Sequence, residues 1–97
     1  MDKHSIPATD APHLADILKG LGHPIRLQII GVLCAKDMCV GELCDCLGLK
    51  QASVSQHLAP LRMLGLVTAD RTGGKATYSL AQPKLRNMVT CLKSCIR

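Results

Sequence analysis

The stretch CVGELCDC at residues 39–46 holds three of the chain's six cysteines within eight positions, and CLKSC at residues 91–95 holds two more. Thiols this closely spaced can bind a soft ion, exchange as disulfides or polysulfides, or hold structural zinc. For structural zinc the spacing Cys-x4-Cys-x-Cys is irregular and a poor match. The N-terminus MDKHSIPATD lacks an apolar signal-peptide core, and no apolar run approaches the ~18 residues needed to cross a bilayer. The expectation is a cytoplasmic protein without a membrane segment, whose thiols stay reduced and serve metal or redox chemistry rather than structural disulfides.

Position within the stretch separates the thiols. Residues 39–42 follow the spacing of a helix capping box, with Glu42 three after the cap, but Cys39 stands where Ser, Thr or Asp is usual. Giving up a good cap costs about 1 kcal/mol, so a second role for this thiol would explain its presence. A helix N-terminus also places positive partial charge beside the sulfur, which favours the thiolate. Cys44 and Cys46 are separated by roughly 200° around a helix and cannot share a ligand unless it unwinds. Cys39, just outside the regular turn, can swing toward Cys44. Cys91 and Cys95, spaced i, i+4, are neighbours on one helix surface, whereas Cys34 follows apolar positions and is expected in the core.

No acid–base pair, phosphate loop or partnered nucleophile is present, so an enzyme is not expected, and no organic cofactor is implied. The charge is uneven. Residues 1–49 carry four Lys/Arg against six acids, while residues 50–97 carry eight against Asp70 alone. A basic C-terminal half fits an acidic partner, nucleic acid first. With Tyr78 as its one aromatic residue the chain lacks stacking platforms for single strands, which leaves duplex DNA.

The elements that must position these groups follow from periodicity. Residues 1–12, with Pro7 and Pro12, read as a flexible arm before a domain spanning 13–97, whose first helix covers about Leu14–Leu21. Pro24 opens a second helix with Ile25, Ile29, Val32 and Leu33 on one face. A short third helix runs from about Val40 to Leu47 and stops at Gly48. A fourth begins near Gln51 with Val54, Leu58, Leu61 and Leu64 in its stripe; Pro60 inside it predicts a local bend. Two short helices joined by a tight glycine turn read as a helix-turn-helix. Gly73 and Gly74 then turn a β-hairpin, and Pro83 opens a last helix striped with Leu85, Met88, Val89, Leu92 and Ile96. That last stripe needs the domain's own core or a second copy of the chain to bury it. The fold class expected is mainly α with a β-hairpin wing.

In a helix-turn-helix the second helix enters the major groove, and basic groups beside it fix the register on phosphate. Here Lys50, Gln51, Ser53, Ser55, Gln56 and His57 open that helix, and Arg71 and Lys75 flank the hairpin glycines. His4, His13 and His23 are isolated in sequence and read as solvated or capping residues.

The segments LKGLGHPIRLQII, GLKQASVSQHLAPLRMLGLV and GGKATYSL resemble the ArsR/SmtB family of bacterial winged-helix repressors over residues 14–95, most specifically in VSQHLAPLRMLGLV. The resemblance implies a winged helix-turn-helix homodimer built on the first and last helices. Such a dimer binds operator DNA and leaves it when an inducer binds. Arsenite-responsive members resemble Cys-Val-Cys-Asp-Leu-Cys where this chain has Cys39-Val40-Gly41-Glu42-Leu43-Cys44; the outer thiols match and Gly41 replaces the middle one. A third sulfur would come from Cys46 by distortion, or from Cys91 or Cys95. The last helix contains no His, Asp or Glu, so the site used there by zinc-sensing relatives is missing. A soft inducer, As(III) or Sb(III), is expected at Cys39 and Cys44. Two alternatives remain open. One is a redox or persulfide sensor using Cys34 with Cys91 or Cys95, and the other is a DNA-binding or interaction module with structural zinc.

Overall fold

The computed structural model describes residues 2–96. Five helices and three short strands follow in the order α1 (Ala11–Leu21), α2 (Pro24–Leu33), β1 (Met38–Cys39), α3 (Val40–Leu47), α4 (Gln51–Met63), β2 (Val67–Asp70), β3 (Thr77–Leu80) and α5 (Leu85–Ser94). The expected fold class holds. No helix among the described residues is long and apolar enough to cross a membrane.

The apolar stripes meet in one core. Ile29, Ile30 and Leu33 of α2, Leu43 of α3, and Val54, Leu58 and Leu61 of α4 are fully or almost fully buried, and Leu66, Val67 and Tyr78 close the core from the wing. These are the i, i+3, i+4 and i+7 positions that put one face of each helix inward. α3 contributes a single buried residue, Leu43, so it is the most lightly anchored of the three central helices.

Two helix boundaries differ from expectation. α1 starts at Ala11 rather than near Leu14, because Pro12 sits in a first turn whose N–H groups have no partner in any case; the last two residues of the expected arm are therefore helical. α5 starts at Leu85 rather than at Pro83. The Pro83–Lys84 pair forms a tight turn in which Leu85 and Arg86 donate their N–H groups to Gln82 and Pro83 carbonyls at 3.0 and 3.1 Å. α4 continues through Pro60 as one helix.

The sheet has an unexpected member. β1 pairs antiparallel with β3, Met38 opposite Tyr78 and Cys39 opposite Thr77, giving the order β1-β3-β2. A two-residue strand carries no alternation that a sequence could show. The hairpin proper has Val67 opposite Leu80 and Asp70 opposite Thr77, joined by a turn in which Gly73 and Gly74 take positive φ.

The turn between α3 and α4 depends on Gly48, which caps α3 in the left-handed conformation (φ 66°, ψ 35°) and donates its N–H to the Cys44 carbonyl at 2.8 Å. A Cβ would meet nothing there, so the cost of a side chain is conformational alone. Gly48→Ala should destabilise the protein by about 1–2 kcal/mol, and Gly48→Asn by less, in urea unfolding. Equal stability of Gly48→Ala and the parent would refute this account of the turn.

Candidate nucleic-acid interface and thiol cluster

α3 and α4 form the helix-turn-helix, with Lys50 as the extended N-cap of α4; its carbonyl accepts the N–H groups of Ser53 and Val54, both at 3.1 Å. Lys50, Gln51, Ser55 and Gln56 are exposed, and Ser53 is half-buried. These five lie at the N-terminal end of α4, around the buried Val54.

His57 does not join them. It is only 9% exposed, accepts a hydrogen bond from Arg26 Nε at 3.2 Å, and lies against the His23 ring. The expectation that it reaches DNA is corrected by its place three residues after Val54, on the inward face of the helix. The same spacing was visible in the sequence and was the signal that could have found it. His23 caps α2 by accepting the Ile25 N–H at 3.1 Å, as a capping residue should, but it is not isolated. Burial, then the adjacent His23 ring and the Arg26 guanidinium, hold the His57 pKa below its ordinary value.

In the wing, Arg71 and Lys75 are exposed on either side of the glycine turn, and the Thr72 hydroxyl donates to Asp70 Oδ1 at 2.5 Å across its base. β1 brings a thiol to this region. Cys39, Val40, Gly41, Gln51, Lys75 and Ala76 line one open cleft, so Cys39 shares a wall with the first residue of α4 and with a basic residue of the wing.

Cys39 is half-buried and has extended backbone (φ −83°, ψ 171°) as the N-cap of α3. Its N–H donates to Glu42 Oε1 at 3.1 Å, which completes the Glu42 side of the expected capping box. Glu42 Oε2 lies 3.5 Å from Lys36 Nζ. The Glu42 carboxyl is held below the usual carboxylate range, first by the Cys39 N–H, then by the Cys39 thiol, with Lys36 adding to them against the cost of desolvation.

The other thiols are dispersed. Cys44 is half-buried and packs against the core, and Cys46 is exposed. Cys91 and Cys95 are exposed on α5 and at its end, Cys95 Sγ donating to the Cys91 carbonyl at 3.4 Å. Cys34 packs against the core as expected, and its carbonyl accepts Arg86 Nε at 2.8 Å. Among the described residues no group of three or more His, Cys, Asp or Glu side chains is arranged to hold a metal ion. A soft ion therefore meets no ready-made three-thiol cage.

A helix-turn-helix backed by a three-stranded wing, with polar side chains on the second helix and paired cations on the hairpin, defines the winged-helix class of regulators. The model of the bacterial regulatory protein arsR family matches residues 23–69. The HTH-type transcriptional regulator Rv0081 of Mycobacterium tuberculosis is 35% identical over 83 residues, 84% of this chain and 73% of that protein. The biofilm growth-associated repressor of Xylella fastidiosa is 35% identical over 84% of this chain and 72% of its own length. The structure of HlyU from Vibrio cholerae superposes with a TM-score of 0.83 at 31% identity, covering 92% of this chain and 97% of that one. HlyU is described as a transcriptional activator. The chain belongs to the arsR family and is a transcriptional regulator, not an enzyme.

The Glu42 contact gives a test of the cap. Because its folded pKa is lowered, the stability it contributes is present above the unfolded value of 4.5 and is lost as pH falls through the folded value. The difference in thermal midpoint between the parent and Glu42→Gln should be largest near neutral pH and shrink below 4.5. A difference independent of pH would show that the carboxylate plays no part in holding the turn.

Proposed function

We infer that the protein is a homodimeric repressor that binds operator DNA and releases it when a thiophilic ion, As(III) or Sb(III), binds Cys39 and Cys44. The observation that carries this reading is the cleft that Cys39 lines together with Gln51 of the recognition helix and Lys75 of the wing. The dimer is supported by apolar side chains left exposed on the two terminal helices: Leu14 and Leu18 on α1, Leu92 on α5 and Ile96 just beyond it. Repression is supported by the relationship to the Xylella fastidiosa repressor.

In the DNA-bound state, Gln51, Ser53, Ser55 and Gln56 face the major groove, with Lys50, Arg71 and Lys75 on phosphate. Closing the Cys39 and Cys44 sulfurs on one ion pulls the N-cap away from its extended conformation. The Cys39–Glu42 hydrogen bond and the pairing of Cys39 with Thr77 then give way. Both DNA-reading elements lose support together, and affinity falls by the difference in ion binding between the two conformations.

Fluorescence anisotropy of the reduced protein on a duplex from the promoter of its own gene, titrated with arsenite, tests the switch. Release is expected near stoichiometric arsenite. Cys39→Ser and Cys44→Ser should abolish release and leave DNA affinity intact. Normal release by both variants would move the site to Cys91 and Cys95. Unchanged binding by the parent would overturn the ion reading in favour of thiol oxidation or persulfide formation. Gly41→Cys is a gain-of-function test, because a Cβ at that position lies 3.9 Å from Cys39 Sγ, and the third thiol should lower the arsenite needed for release.

The wing cations have a separate signature. Arg71→Ala should weaken binding to all duplexes about equally and reduce the salt slope by roughly one unit, as loss of one phosphate contact requires. A change confined to one duplex sequence would instead assign Arg71 to a base edge.

A further inference from the structure

Arg26 of α2 joins three helices behind the recognition surface. Its Nε donates to His57 Nδ1 on α4 at 3.2 Å, and its Nη1 donates to the Gly20 carbonyl in the last turn of α1, also at 3.2 Å. The His23 ring, fixed by its own cap hydrogen bond, lies 4.3 Å from the His57 ring between centroids with a 40° tilt. No other side chain of α4 is hydrogen-bonded to another helix among the described residues. The other buried side chains of α4, Val54, Leu58 and Leu61, pack through apolar contacts, which carry no directional preference of their own.

We propose that His57 is a positioning residue for DNA binding: its neutral imidazole, held by Arg26, fixes the rotation of the recognition helix on α1 and α2, and its protonation releases that hold. The proposal rests on the DNA-binding reading for its affinity readout alone. With Nδ1 accepting, the ring must carry its single proton on Nε2. A second proton would place Nδ1–H against Arg26 Nε–H, two donors and two positive charges facing each other. The charged or titratable groups acting on His57 are His23 and Arg26, both from α2, while α1 supplies the Gly20 carbonyl to Arg26. No carboxylate among the described residues forms an ion pair with His57 or Arg26. Nothing in the cluster therefore stabilises the protonated ring.

The hold is complete at neutral pH. Because the folded pKa of His57 is lowered, its contribution is fully present above the unfolded value of 6.5 and is lost as pH falls from there toward the folded value. Protonation of other histidines adds positive charge and acts oppositely on DNA affinity. The informative quantity is thus the difference between the parent and a variant that keeps the acceptor but cannot titrate.

His57→Asn is that variant, since its amide oxygen can reach the place of Nδ1. His57→Leu keeps similar bulk without an acceptor. Anisotropy on the promoter duplex, from about pH 7.5 to about pH 4.5, spans the ordinary histidine range and the range below it into which His57 is shifted. The parent should lose affinity relative to His57→Asn as the solution is acidified, and His57→Leu should bind roughly tenfold more weakly at neutral pH with its helical circular dichroism unchanged. Coincident pH profiles for the parent and His57→Asn, or parental affinity in His57→Leu, overturn the proposal. NMR titration of the free parent and His57→Asn tests the positioning role without DNA or His57→Leu. Amide shifts of Ser53, Ser55 and Gln56 should follow the His57 midpoint in the parent alone; unmoved amides overturn the proposal. Failure of the parent to bind the duplex, with those amides moving as expected, would sink the DNA assignment and leave the positioning role standing.

Discussion

Residues 38–40 meet two demands at once. Met38 and Cys39 must be extended to pair with Tyr78 and Thr77, and Cys39 must remain extended as the N-cap from which α3 starts. An N-cap has non-helical dihedrals, so a strand can run directly into a helix without an intervening loop. Besides the core packing of Leu66, Val67 and Tyr78 against α4, the wing and the start of α3 are thus joined through the backbone at Cys39. A displacement at Cys39 changes the support of the helix-turn-helix and the wing together.

The packing makes that position pliable without making the domain weak. Leu43 is the only buried side chain of α3, whereas α2 and α4 bury Ile29, Ile30, Leu33, Val54, Leu58 and Leu61 against one another. The first turn of α3 reaches the buried core through Leu43 alone, so a rearrangement that keeps Leu43 seated leaves the α2–α4 core covered. It costs the exposed Cys39–Glu42 hydrogen bond and the two-residue ladder to β3, small terms beside the fully buried core. An ion bound through two thiolates can supply such an amount, while a ligand lodged in the core would have to unfold the domain.

The sequence made the helices legible because their apolar stripes recur at 3.6-residue spacing, and Gly48 and the Gly73–Gly74 pair marked the turns that only glycine adopts easily. β1 was illegible because two residues carry no period and their pairing is with a strand almost forty positions away. The ends of α1 and α5 were misplaced for a local reason: proline is tolerated in a first turn at Pro12 and in the tight turn before the helix at Pro83, and its presence alone does not say which. His57 was read by its chemistry, as a polar group on a reading helix, when its place after Val54 already put it on the inward face. The thiols were visible as residues but not as an arrangement. Only the unexpected strand puts Cys39 beside Lys75.

That arrangement bears on how an ion and DNA exclude one another in the proposed mechanism. Coupling between two ligands is reciprocal, so an ion that lowers DNA affinity tenfold must itself bind tenfold more weakly to the DNA-bound protein. A distant site would need a global change of shape to meet this condition. At Cys39 part of the coupling is local, since Gln51 and Lys75 line the same cleft and are assigned to the duplex. In that mechanism, DNA that draws Lys75 and Gln51 outward holds the cleft, and with it the N-cap, in its extended form, the form that ion binding disrupts. The duplex thereby resists ion binding through the same few side chains that the ion would displace, and in a dimer the resistance acts at both half-sites.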